Sequence, residues 1–319
     1  MDLVSSLFKE TIEAASRLGH KSVTEADLSD DLKVKLSQLR KDGYVMFDYL
    51  VGSEYFATMQ KLVKQKIEEE LAFETPCLAQ NHIDHGRDAD LIARNFKASR
   101  SELVARDLMF NRDQVFSYRQ VVEEFGPSTL TLPLPQDFGI FNVWLDTNVT
   151  SVIEAYMGFT PVLREAYIRR NFPCKYHVMN HKWHRDSNHR KHLLKAFIFF
   201  TDCDLDTGAH QYISGSVKDD RFREDRYFED TEIDNAYPMA SGRKIISNVP
   251  AGTIVLEDTR GLHKAGIPKH SFRDLGFAVF VPGSVLQRRD TNYNVDAKIA
   301  AKLSHEQCRY IPKRAVIGN

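Results

Sequence analysis

The sequence predicts an antiparallel sandwich or barrel preceded by helices, mainly β with flanking helices and so α+β in class. Three observations carry that expectation. Apolar residues recur at three- and four-residue steps up to Met157 and at two-residue steps beyond Gly158. The strands so marked are short and divided by turn residues. No helical stretch separates them, as a parallel α/β sheet would require. At 319 residues, with ordinary apolar and charged fractions, the chain is long enough for one large core with a helical attachment.

In chain order, residues 1–19 place Val4, Leu7, Phe8, Ile12, Ala15 and Leu18 at helical spacing among Lys9, Glu10 and Glu13. Such an amphipathic helix docks on the barrel or on a second subunit, and it is no signal peptide. Residues 27–39 carry Leu28, Leu32, Leu36 and Leu39 on one helical face, and Asp42-Gly43 stops that helix. Residues 44–49 read as a short strand. Ser53 caps a second helix whose face is Phe56, Met59, Leu62, Val63 and Ile67, up to Glu68-Glu69-Glu70. From 74 to 113 the pattern weakens into a covering loop with helical fragments around 101–109. Helical spacing returns over 119–125 and 141–157, and Gly158 ends it.

Strands are expected over 162–171, 175–183, 192–201, 210–213, 244–249, 253–257 and 275–282. A charged, aromatic-bearing insertion over 217–241 reads as a loop that reaches over the barrel mouth. The chain is thus expected to be a single domain over 1–319. It has a helical part over 1–160, a β core over 161–285 and a C-terminal extension over 286–319.

Composition narrows the function. A formal net charge of -1 supplies no field to recruit nucleic acid or a membrane surface. The most apolar run outside the N-terminus, 196–200, is far too short to span a bilayer. Cys77, Cys174, Cys203 and Cys308 are widely spaced, with no metal-type pair, as suits reduced thiols in a cytoplasmic protein. Partners reduce to a small-molecule substrate, for a monomer or homodimer.

The chemistry concentrates in four residues. His184 and Asp186 are two residues apart, and on an extended strand they point to the same side, where one metal can bind both. His263 follows strand 253–257 and completes a 2-His-1-carboxylate set, the arrangement that leaves open positions on non-haem Fe(II). Arg273 starts a further apolar strand ten residues on, where a guanidinium can grip a dicarboxylate co-substrate. A His-x-Asp pair alone also reads as a surface pair. His82-Ile83-Asp84 has the same form in a polar stretch without strands, and it reads as solvated loop. The metal reading rests on His184, Asp186 and His263 all falling at strand ends, where barrel mouths hold their sites.

Two alternatives stand beside it. His181, His184, His189 and His192 resemble a zinc cluster, but Arg185, Arg190 and Lys191 among them oppose a dication and no cysteine joins. The segment 164–195 is rich in Arg and Lys, which strand alternation in part turns to solvent. Arg169 and Arg170 are adjacent, so one of them faces the interior and needs an anion there, from a co-substrate or an anionic substrate. Arg185 and Lys195 are further candidates to meet substrate, although Arg185, lying between two ligands, is expected to point away from the metal.

Trp183-His184-x-Asp186, then Asp206-x-Gly208, Gly215-Ser216, Ala251-Gly252-Thr253, His263 and Arg273 together resemble the phytanoyl-CoA dioxygenase (PhyH-like) family. Lys41-Asp42-Gly43-Tyr44-Val45 extends the resemblance to the family's first strand, so it covers most of the chain. The resemblance implies a double-stranded β-helix, a jelly-roll barrel flanked by N-terminal helices, and an Fe(II)- and 2-oxoglutarate-dependent oxygenase that uses O2. By position His184, Asp186 and His263 would ligate iron and Arg273 would hold the distal carboxylate of 2-oxoglutarate. Ser271, two residues earlier, would add a hydrogen bond. The implied reaction is hydroxylation of an aliphatic C–H of a small metabolite or biosynthetic intermediate, anionic if the basic segment contacts it, with release of succinate and CO2. Desaturation, cyclisation and demethylation use the same cofactor chemistry, and a cupin-like metal isomerase or binding protein is the alternative from another class. Ser214-Gly215-Ser216-Val217 and Thr253 depart from the family pattern at structural positions. Asp186 disfavours halogenation, which needs a small residue there.

Overall fold

Among the described residues four α-helices and four strands precede Gly158, and strands dominate beyond it. The computed structural model describes residues 22–72, 74–78, 110–117, 129–173, 179–186, 193–282 and 291–318. Helix α1 (Asp30–Asp42) ends on Gly43, which adopts the left-handed conformation at φ 76° and closes the last turn back onto Leu39. Strand β1 (Tyr44–Phe47) leads to α2 (Glu54–Ala72), whose first turn is capped by Ser53 through the Phe56 amide. Strands β2 (Glu74–Leu78) and β3 (Phe110–Ser117) pair antiparallel, and β4 (Thr129–Pro133) follows. The helix expected over 141–157 is instead two, α3 (Phe138–Trp144) and α4 (Thr147–Met157). Asp137 and Asp146 cap each one, and the second aspartate's appetite for free amides is what breaks the run.

Beyond Gly158 come β5 (Pro161–Asn171), β6 (Leu194–Phe199), β7 (Gln211–Ile213), α5 (Asp230–Ala236), β8 (Lys244–Ile246), β9 (Ile254–Glu257), β10 (His263–Lys264) and β11 (Arg273–Pro282). A six-stranded antiparallel sheet runs β1-β9-β6-β11-β5-β4, and a three-stranded sheet runs β10-β7-β8. The fold is mainly antiparallel β with a few helices, of jelly-roll type. Because β1 and β4 form the two edges of the large sheet, the β core draws on the N-terminal part that the sequence presents as mostly helical.

Strand alternation gives the large sheet two unlike faces. Leu194, Ala196, Ile198 and Phe200 turn outward into an apolar core shared with α1 to α4. Phe197 and Phe199 turn inward and meet Cys203, Ala209, Tyr212 and Val249 between the sheets. Each leucine, isoleucine, valine or phenylalanine among them contributes roughly 1.5–3 kcal/mol on burial, so the outer core fixes the sheet on which the inner face is displayed.

Other expectations are corrected or lie elsewhere. Of the strand expected over 175–183, Met179–His181 is a 3-10 turn, and Trp183 and His184 make single bridges to Phe228 and His263. Its hydrogen bonds alternate between different partners, so no ladder forms. The insertion holds α5, and Phe228, Ile233 and Tyr237 bury against Trp183, Ile213 and Leu262. The amphipathic stretch 1–19, the helical fragments at 101–109, the helix at 119–125, His82-Ile83-Asp84, His189 and His192 lie outside the described residues. No helix among the described residues is long and apolar enough to cross a membrane.

Candidate metal centre

Backbone pairing brings the candidate ligands together. His184 and His263 exchange both amide-to-carbonyl hydrogen bonds at 3.0 Å, and the Asp186 amide donates to the Thr259 carbonyl at 2.9 Å. Directly opposed residues project to the same side, so the two imidazoles stand 4.2 Å apart between centroids. His184, Asp186 and His263 each offer a ligand atom, all within 4.8 Å of one another. Among the described residues this is the group with that property.

The imidazoles are oriented by the same device. His184 Nδ1 donates to the Lys182 carbonyl at 2.9 Å, and His263 Nδ1 donates to the Gly261 carbonyl at 3.0 Å. Each ring therefore keeps its proton on Nδ1 and leaves Nε2 as a lone-pair donor, the second-sphere arrangement of metal-binding histidines. His263 Nε2 lies 3.9 Å from Asp186 Oδ2. Burial lowers the pKa of both histidines, His263 the further because His184 adjoins it, and so favours the neutral, ligating form. Gly261 is required for packing: a Cβ there would overlap Tyr212 Oη and fall 2.9 Å from Ser216 Oγ.

Burial opposes ionisation of Asp186, but the Lys195 ammonium overcomes it and holds the carboxyl well below the usual carboxylate range. Lys195 Nζ lies 2.7 Å from Asp186 Oδ2, though without hydrogen-bond alignment. Lys195, expected to meet substrate, is thus placed against the candidate ligand carboxylate. Glu257 lies opposite Lys195 in the β6–β9 register, in an otherwise apolar strand. Its Oε2 is 2.8 Å from His210 Nε2. Burial raises the Glu257 carboxyl far above its ordinary value and pushes His210 down to about 3, so the contact is a neutral hydrogen bond rather than an ion pair. Sequence reasoning missed this pair. Its signal was a glutamate on the inward face of an apolar strand.

Arg273 begins β11 and is 1% exposed. Its Nε and Nη1 are buried without a hydrogen-bond partner. Burial lowers its pKa, and the Arg169 charge pushes the same way. A buried guanidinium with two idle donors is a cradle for a carboxylate, the group that 2-oxoglutarate presents at its distal end. The His210 ring lies 5.7 Å from the His263 ring, and the Arg273 and Lys195 charges add to burial in lowering its pKa. The donor set, two neutral imidazoles and a carboxylate, suits iron, and the idle arginine suits the co-substrate, so the residues present fit both.

The remaining candidates divide. Ser271 is exposed and precedes β11, so strand alternation does not carry it to the Arg273 side, and it is not brought into the site. Arg170 turns to the helix side, where Nε and Nη2 bind Asp274 at 2.7 and 2.8 Å and Nη1 reaches Glu68 at 3.1 Å. Arg185 points away from the cluster, as expected of a residue between two candidate ligands. It donates to the carbonyls of Phe222, Ser216, Arg260, Asp219 and Arg221, which fixes the insertion to the ligand-bearing segment. Arg169 stays on the inner face over Phe277 and Tyr167.

The model of the phytanoyl-CoA dioxygenase (PhyH) family matches residues 39–269. Solved structures similar to this chain include a non-heme alpha ketoglutarate dependent carbocyclase, SnoK, from nogalamycin biosynthesis. It is 16% identical with TM-score 0.46, over 82% of this chain and 87% of that one. EctD from S. alaskensis with bound Fe is 14% identical with TM-score 0.48, over 86% and 85%. HygX from Streptomyces hygroscopicus with nickel and 2-oxoglutarate bound is 13% identical with TM-score 0.44, over 80% and 87%. No curated protein matches the sequence.

Proposed function

This chain belongs to the phytanoyl-CoA dioxygenase family and is a 2-oxoglutarate-dependent non-haem iron oxygenase, and from that premise we propose that it hydroxylates an aliphatic C–H bond of a small molecule. His184, Asp186 and His263 hold Fe(II), and Arg273 holds the distal carboxylate of 2-oxoglutarate. When bound, the iron and its co-substrate supply an O2-derived oxidant, while 2-oxoglutarate leaves as succinate and CO2. The observation that carries the reading is the buried Arg273, two of whose donors have no partner, on the sheet face toward the three-residue cluster.

The chain's own residues account for the rest. Burial keeps both imidazoles deprotonated at Nε2, so the ligand set needs no proton release at neutral pH. Asp186 carries the negative charge that partly neutralises the metal. Phe197, Phe277 and Tyr167 pack between the cluster and the clamp, with Phe197 and Phe277 edge to face at 5.0 Å and Tyr167 stacked on Phe277 at 4.9 Å. They present an apolar surface that would keep water from a substrate carbon lying against it.

The test is succinate formation from 2-oxoglutarate with added Fe(II) and a panel of small acids, amino acids and phosphorylated metabolites. Wild type produces it, and His184→Ala and Arg273→Gln each lose roughly a hundredfold or more. Unchanged succinate formation in His184→Ala would remove that ligand assignment. The product mass separates outcomes within the class, since hydroxylation adds an oxygen and desaturation removes two hydrogens.

A further inference from the structure

The inner face of the large sheet carries more idle polar groups than the co-substrate needs. Thr129, Asn171 and Arg273 lie in one cross-strand row over β4, β5 and β11. Thr131, Arg169 and Leu275 form the next. Thr129 Oγ1, Thr131 Oγ1, Asn171 Oδ1 and Arg169 Nε are all buried without a hydrogen-bond partner, as are Nε and Nη1 of Arg273. Each row thus holds one guanidinium and one threonine hydroxyl without a match.

Three other well-packed arginines are matched. Arg170 and Arg260 each pair with a carboxylate, and Arg185 satisfies itself on carbonyls. Arg169 has no carboxylate of the described residues within ion-pair distance. What it has is the Tyr167 hydroxyl, 3.1 Å from Nη2, and two ring faces, Phe277 at 4.5 Å and Tyr167 at 5.1 Å. Rings engage the flat face of a guanidinium and leave its in-plane N–H groups free. An idle in-plane Nε–H is the donor that a carboxylate would take.

We infer that Arg169, with Thr131, binds the carboxylate of the molecule that is oxidised, so that the substrate is a small organic acid. The inference rests on the function proposed above, in which Arg273 is occupied by 2-oxoglutarate. Register separates the two anions. Arg169 lies opposite Leu275, two residues from Arg273 in the direction of Val279, the partner of Lys195. It is therefore one row nearer the end of the sheet that reaches Asp186. A monoanion fits better than a phosphate dianion, because the row offers one cation and one hydroxyl, and Lys195 already faces Asp186.

The full chain, loaded with Fe(II) under argon and saturated with 2-oxoglutarate, is titrated with trifluorobutyrate and with trifluorobutyramide and followed by fluorine NMR. Wild type binds the acid and not the amide. Arg169→Met weakens acid binding by roughly tenfold or more and leaves 2-oxoglutarate affinity within about twofold. Arg169→Lys, which keeps the charge, falls between them and decides the matter if the methionine variant does not fold. Equal acid binding by wild type and Arg169→Met, or no acid binding by wild type, overturns the inference. So does a loss of 2-oxoglutarate affinity in Arg169→Met that equals that of Arg273→Gln, since Arg169 would then serve the co-substrate. Failure of the proposed function has a different signature, namely no Fe(II)-dependent binding of 2-oxoglutarate by wild type. The acid titration repeated without metal or co-substrate still reads Arg169 in that case.

Discussion

Arg169 and Arg170 are neighbours on β5, yet the two faces of the large sheet treat them in opposite ways. On the outer face Arg170 is 3% exposed and answered by Asp274, itself 3% exposed, so a buried cation meets a buried anion amid helix packing. On the inner face Arg169 and Arg273 keep donors that nothing in the described fold uses. Matched polar groups belong to a core. Polar groups held by a rigid sheet and left unmatched are the state expected of a surface built for a ligand. Under the proposed function, the difference separates residues that serve the fold from residues that serve the chemistry, although their side chains are identical.

The contrast breaks first on stability. Arg170→Met strands the Asp274 carboxylate in an apolar setting and is expected to cost about 3–5 kcal/mol, measured by denaturant unfolding. A loss below about 1 kcal/mol would mean that the outer pair is no more structural than the inner arginines. A second break is in pH dependence. His210 is held neutral by burial, its pKa pushed down to about 3, whereas the unfolded chain titrates near the ordinary histidine value. The unfolded state therefore takes up a proton that the folded state refuses as pH falls below about 6.5. That contribution to stability is complete above this pH and is lost toward about 3, so His210→Gln should show a shallower fall in stability between neutral pH and pH 4 than wild type. An identical slope would contradict the buried neutral pair with Glu257.

Smaller effects sharpen the same comparison. A Cβ on Gly276 would sit 2.4 Å from the Trp144 ring on the outer face. Gly276→Ala should lose about 1–3 kcal/mol and leave 2-oxoglutarate affinity unchanged. Arg273→Gln should shift stability least, by under about 1 kcal/mol, because it removes a buried charge that has no carboxylate partner to strand among the described residues. It should nonetheless impair co-substrate binding more than any outer-face change.

How far the sequence reaches follows the same division. The change of period at Gly158, the cap at Ser53 and the Gly43 stop are local signals, and the helix-then-sheet order follows from them. The family was legible because its motif residues fall at turns and strand ends whose spacing survives large changes elsewhere. His184, Asp186, His263 and Arg273 were visible as residue types in an order. Partner choice was not visible. That Arg170 faces Asp274, that Lys195 reaches Asp186 and that Glu257 finds His210 depend on strand register, which no single segment encodes. Ser271 illustrates the limit from the other side, since alternation holds only within a strand and β11 begins two residues later.

The most direct test of a ferrous site on the inner face is an anaerobic titration of 2-oxoglutarate into the Fe(II)-loaded protein, followed by the visible charge-transfer absorption of the chelated co-substrate. The band is expected in wild type, shifted to much higher 2-oxoglutarate concentration in Arg273→Gln, and absent in His263→Ala. A band of wild-type strength in His263→Ala would contradict the account.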